Sequence, residues 1–283
     1  MSRNRERTGA TTPDTNTPAV LTQNDSGDFS FVVPTDFVDL PTGGKYYPEN
    51  HPLHGQDCIE IRHMTAKEED ILTSRTLLKK GIAIDRLLSN IIIDKRISAD
   101  SLFVGDKNAI IIAARISGYG NVYDTSINCP NCGEKQDYSF DLNDSNIYLG
   151  ENKEIYNVVD NDDGTFTTML PKTKITATFK LLTGFDEKKI VKGLEQDRKS
   201  KSHEHNITRQ LKNFLVKVND HTSTQAIDYV IDNIPSIDSR HLRLAYRNAC
   251  PNLDLTQHFA CTFCEHEQDL EVPLTADFFW PDR

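Results

Sequence analysis

The chain has 283 residues, 37% of them hydrophobic and 26% charged, with a formal net charge of −10. That length can bury a core for one large or two small domains. No apolar run approaches the ~20 residues that span a membrane, and the acidic balance argues against nucleic acid as a partner, because phosphates select a basic surface.

Met1-Ser2-Arg3-Asn4-Arg5-Glu6-Arg7 lacks the apolar stretch of a signal peptide, so the expected compartment is a reducing cytoplasm. Residues 1–28 are rich in Thr, Asn, Asp and Ser. They carry too little apolar surface to offset the entropy of ordering and are read as a disordered arm. A strand, loop and helical region is expected over 29–120. Its loop Pro41-Thr42-Gly43-Gly44-Lys45-Tyr46-Tyr47-Pro48 is dense in turn formers around aromatics. Gly-Gly-Lys invites a phosphate reading, but the rest of the phosphate-loop pattern is absent.

Residues 59–62 alternate as a short strand. Thr65-Ala66-Lys67-Glu68 is a capping box opening a helix that runs to about Lys80 and stops at Gly81. A second helix is expected over 84–92. A third, capped by Asp106, is expected over 107–117; it is apolar nearly all round and therefore buried. Residues 121–142 form a strand, a first cysteine knuckle and a second strand.

A β-hairpin region is expected over 143–183, with strands at 155–159, 165–170 and 175–182. Asp163-Gly164 supplies the turn. The acids around it lack the spacing and distant Glu of a calcium loop. Helices follow in 184–256, at about 186–197, 207–218, 224–234 and 237–248. Residues 257–283 carry the second knuckle and an aromatic tail.

Cys129-Pro130-Asn131-Cys132 and Cys261-Thr262-Phe263-Cys264 form a short internal repeat. Gln-Asp recurs at the same offset after each, and alternating runs follow: Tyr138/Phe140/Leu142 and Leu270/Val272/Leu274. Four thiolates on two tight turns suit one structural zinc per chain, held by Cys129, Cys132, Cys261 and Cys264. Residues 133–260 separate the half-sites, so the metal clamps distant parts of one fold.

Three other readings of the knuckles compete with this one. A redox Cys-x-x-Cys opens a helix, whereas strands follow here. Two disulfides need an oxidising compartment. Separate metal sites completed by His258 and His266 need further ligands. Cys58 and Cys250 read as small buried thiols. Enzyme signatures are missing, and a four-cysteine zinc leaves no open position for a substrate, so no catalytic residue is assigned. The expected fold is α+β: helical segments with a β-hairpin region, stapled by a split four-cysteine zinc ribbon.

Several stretches resemble the baseplate hub and hub-assembly proteins of T-even-like contractile-tailed phages. They are Leu40 to Pro48 with His51-Pro52-Leu53-His54-Gly55, then Met64 to Leu72, then Gly105-Asp106 with Arg115-Ile116 and Tyr119-Gly120, and last the second knuckle with Leu274 to Pro281. The resemblance implies a non-enzymatic structural or assembly protein of the tail baseplate, found in the virion tail or, during assembly, in the host cytoplasm. Implied partners are other baseplate or tail proteins, whether hub, wedge or tape-measure components, with neither nucleic acid nor membrane.

The alternative is a zinc-ribbon adaptor acting in transcription. Such a ribbon should carry basic strands, and these strands carry seven acids against Lys135 alone. Phe278, Phe279 and Trp280 are candidate interaction residues. The competing role for the same rings is a latch folded back on the ribbon.

Overall fold

The structure, a computed structural model, describes residues 22–23, 29–30, 33–200, 206–274 and 276–279. Its contacts divide the chain into two units, Met1–Pro34 and Thr35–Arg283. In the first, Thr22–Gln23 pairs antiparallel with Phe29–Ser30. The rest of the expected arm lies outside the described residues.

The second unit is α+β, as expected, with helices around small antiparallel sheets. It holds two apolar clusters. The first begins with the antiparallel pair Thr35–Asp39 and Cys58–Arg62, in which Val38 faces Ile59. The helix Ala83–Ile91 turns Leu87, Leu88 and Ile91 inward, a spacing of three and four that makes one apolar face. Each such side chain contributes about 1.5–3 kcal/mol on burial. The helix Val104–Tyr119 runs through this cluster and buries Ala109, Ile110, Ile112, Ala114 and Arg115. Both ribbon hairpins pack on the same cluster through Tyr123, Phe140, Phe259 and Val272.

The second cluster belongs to the segment between the knuckles. A four-stranded antiparallel sheet runs in the order Leu215–Val218, Thr176–Lys180, Thr165–Met169, Val159–Asp160. Phe166, Phe179 and Phe214 line its buried side, and Tyr246 of the helix Ser236–Ala249 stacks on Phe214 with centroids 4.7 Å apart. This lobe leaves and rejoins the ribbon through two short strands, Asn146–Tyr148 paired with Asn252–Asp254. Backbone bonds also tie it to the first cluster. Val104 N–H donates to Leu182 (3.0 Å), Gly184 N–H to Leu102 (2.9 Å), and Phe185 N–H to Asp100 (3.0 Å).

The loop after Leu40 is clamped at two points. The Asp106 carboxylate, fully buried, accepts from Thr42 N–H (3.0 Å), Thr42 Oγ1 (2.7 Å) and Tyr47 Oη (2.8 Å). Asp160, at the Asp-Gly hairpin, accepts from Lys45 Nζ (3.0 Å) and Tyr46 Oη (2.8 Å). Gly44 sits where the loop crosses itself. It has φ +69°, and a Cβ there would lie 2.3 Å from the Gln56 carbonyl oxygen. The acids of the hairpin thus dock this loop.

Several expected elements are redrawn. The helix expected over 66–80 is two, Ala66–Thr73 and Arg75–Lys79, broken at an extended Ser74. Thr73 turns its hydroxyl onto the Glu69 carbonyl (2.8 Å), the local competition that makes Thr-Ser a poor helix interior. Asp106 lies inside the first turn of its helix rather than at the cap, because its carboxylate faces Thr42 and Tyr47. Residues 155–156 belong to the 3₁₀ turn Glu151–Tyr156, not to a strand. The helix expected over 207–218 ends at Phe214, and Leu215–Val218 joins the sheet instead. Pairing with the strand Thr176–Lys180 overrides the helical pattern there.

Candidate metal centre and C-terminal turn

Each knuckle sits at the tip of an antiparallel hairpin. Val122–Asn128 pairs with Lys135–Asp141, and Thr256–Ala260 pairs with Glu267–Glu271. The two tips close alike. Cys129 N–H donates to Glu134 and Gly133 N–H to Cys129 (2.9 and 2.8 Å); Cys261 N–H donates to His266 and Glu265 N–H to Cys261 (2.9 and 3.1 Å). The residue four past each first cysteine has positive φ, +77° at Gly133 and +56° at Glu265. Glycine fits that conformation freely, and an L-residue is strained in it.

The hairpins meet so that all four thiol sulfurs lie within 4.8 Å of one another. Cys129 Sγ is 3.7 Å from Cys264 Sγ, and Cys132 Sγ is 3.8 Å from Cys261 Sγ. A tetrahedron with metal–sulfur bonds of about 2.3 Å has edges of about 3.8 Å, so the thiol set fits a four-sulfur ion. All four cysteines are free thiols. N–H groups point at the sulfurs: Phe263 N–H reaches Cys261 Sγ at 3.4 Å, and the Asn131 amide reaches Cys264 Sγ at 3.6 Å. The Cys132 and Asn131 backbone N–H groups lower the Cys129 thiol, whereas at Cys132 the Glu134 N–H is outweighed by burial and the neighbouring sulfurs, which raise it. Donors of this kind stabilise thiolates, the form that ligates metal.

His258 and His266 stand apart from the cluster. The His266 ring meets Gln268 Oε1 at 2.9 Å, and His258 faces Asp269 at 3.7 Å. Strands rather than helices follow both knuckles.

Side chains that the spacing argument did not single out dock the hairpins. Gln136, buried, accepts from Thr262 N–H of the opposite knuckle (3.0 Å) and donates to the Ala260 carbonyl (3.3 Å). Gln257 donates to the Asp141 carbonyl (2.7 Å) and accepts from Asp141 N–H (3.3 Å), in the manner of a strand backbone. Tyr138 Oη donates to the His258 carbonyl (3.0 Å). The recurring Gln-Asp offset was the one sequence signal for Gln136. The repeat is not symmetric, since its counterpart Gln268 turns to His266 instead.

Phe278 and Phe279, in the turn Ala276–Phe279, are each 4% exposed. Phe278 meets Tyr123 edge-on at 5.2 Å and Phe279 at 5.0 Å. Arg115 Nε donates to the Phe278 carbonyl (2.7 Å). Trp280 lies outside the described residues.

Fold and site together define an α+β protein whose two distant hairpins converge on a four-thiol cluster able to hold a metal ion. Residues 34–280 match the family described as T4 bacteriophage base plate protein. The chain belongs to that family and is a structural protein of a phage tail baseplate, a setting of contacts with other phage proteins. No curated protein and no solved structure matches the chain significantly. Among the described residues no helix is long and apolar enough to cross a membrane.

Proposed function

We propose that this chain is a hub or hub-assembly component of the baseplate, non-enzymatic and stabilised by one structural zinc. The observation that supports the hub reading most is the order of its family-like stretches, two of which meet in space. Gly105-Asp106 binds the loop Leu40 to Pro48 through the Asp106 carboxylate, which makes these two stretches a structural joint. Zinc is favoured by four sulfur donors at tetrahedral spacing with no further ligand atom beside them among the described residues. Its role would be to bind the hairpins to each other; a four-thiolate shell leaves no position for a substrate. The non-enzymatic reading is supported by the buried carboxylates: Asp106, Glu68 and Asp238 each accept several hydrogen bonds that hold backbone in place.

Metal analysis of purified protein should give about one zinc per chain, and Cys129→Ser or Cys261→Ser should abolish it. A tagged chain in infected cells should co-purify with baseplate hub components. Mass spectrometry of finished virions then separates a built-in subunit, which is present, from an assembly factor, which is absent. Co-purification with transcription complexes instead would overturn the hub reading.

A further inference from the structure

We infer that the turn Ala276–Phe279 is a strap whose closure is coupled, through Arg115, to closure of the cysteine ribbon. The inference rests on the metal reading above. Arg115 is 1% exposed, and its guanidinium spends its donors on three backbone carbonyls. Nε reaches Phe278 (2.7 Å), and the two terminal nitrogens reach Gly120 (2.7 Å) and Val122 (3.2 Å). Among the described residues no carboxylate lies within ion-pair distance of it. Its charge is offset by these carbonyl dipoles, by the ring faces of Tyr119 and Phe278, 5.3 and 5.9 Å away, and at longer range by the Asp124 carboxylate.

The three carbonyls come from opposite ends of the ribbon. Gly120 and Val122 stand at the entry to the first hairpin, and Phe278 follows the second. Tyr123 makes the same span, with its hydroxyl donating to the Pro273 carbonyl (3.1 Å) and its ring against Phe278. The carbonyl cage around Arg115 is therefore complete only when the second hairpin sits against the first. That docking is also what brings the four sulfurs together. A buried guanidinium stripped of a carbonyl is costly, so the strap and the thiol cluster favour the same closed state. Coupling of two binding events is reciprocal. Zinc should hold the strap shut, and the shut strap should tighten zinc by the same factor.

The test uses the full chain and zinc alone. Zinc affinity is measured by competition with a chromophoric chelator, and strap closure by hydrogen exchange over 276–279. In the wild type, zinc removal should raise strap exchange about tenfold, within the usual range of such couplings. Arg115→Met and Phe278→Ala keep all four cysteines and should each weaken zinc about tenfold. Phe278→Ala carries the test if Arg115→Met fails to fold. One control separates coupling from general loss of stability: Leu211→Ala, in the second cluster, should lower stability without changing zinc affinity. Wild-type affinity in both strap variants, or a strap equally protected without zinc, overturns the coupling alone. A wild-type chain that binds no zinc overturns the metal reading and the coupling together.

Discussion

Asp106 and Glu68 are fully buried carboxylates with opposite titration behaviour. Burial pushes Asp106 up, and its Thr42 and Tyr47 donors offset that only in part. Asp106→Ala leaves three donors facing nothing and should cost about 3 kcal/mol or more. Asp106→Asn should cost less, because its amide oxygen still takes the Thr42 N–H while the hydroxyls reorient. Urea unfolding distinguishes the two. For Glu68, burial opposes ionisation, but Arg62 at 2.7 and 3.0 Å and Thr65 at 2.9 and 2.7 Å overcome it and hold the carboxyl at about 2. A folded pKa below the unfolded one adds stability that is full above about pH 5 and lost as pH falls toward 2. Stability measured from pH 7 to pH 3 should fall less steeply in Glu68→Gln than in wild type. Equal slopes would mean that Arg62 does not hold the charge.

At the scale of elements, two backbone conformations carry predictions of opposite sign. At Gly44 a Cβ would meet Gln56 and Leu53 main-chain atoms at 2.3–2.5 Å. Backbone cannot yield as a side-chain end does, so Gly44→Ala should lower stability by about 3 kcal/mol or more and release the loop from Asp106. Glu265 holds the left-handed position that its counterpart gives to Gly133. Glu265→Gly relieves that strain and should leave stability unchanged or raise it by up to about 1 kcal/mol, without loss of metal. Thermal melts with parallel metal analysis check both. The same scale shows where element boundaries were legible. Helices ending at glycine or proline fell near their expected ends, as with Thr224–Asn233 before Pro235. The segment 207–218 did not, because the strand choice of Leu215–Val218 depends on a partner 36 residues or more away in the chain.

For the whole molecule, chelation should act unevenly. The ribbon hairpins share side-chain bridges and the thiol cluster, so both should lose hydrogen-exchange protection when metal is removed. The sheet between the knuckles has its own apolar cluster and is tied to Leu102 and Val104 by backbone bonds that bypass the ribbon. Thr165–Met169 and Thr176–Lys180 should therefore keep most of their protection. A uniform loss across both clusters would show that the metal governs the entire fold.

The knuckles, their repeat, the α+β class and the buried central helix are all written in local spacing and periodicity, and so were legible before the fold was known. The sequence also carried the likeness to a baseplate family. The repeated knuckles also led to the expectation that they meet at one metal, and the fold brings their four sulfurs together; the path that residues 133–260 take between them is set by long-range packing that no local pattern encodes. Tertiary contacts alone gave Asp106 its loop rather than its cap, Gln136 its opposite knuckle, and Arg115 a cage of three carbonyls. Each of those side chains bonds to groups distant in the chain or to backbone carbonyls, which residue type and spacing do not reveal.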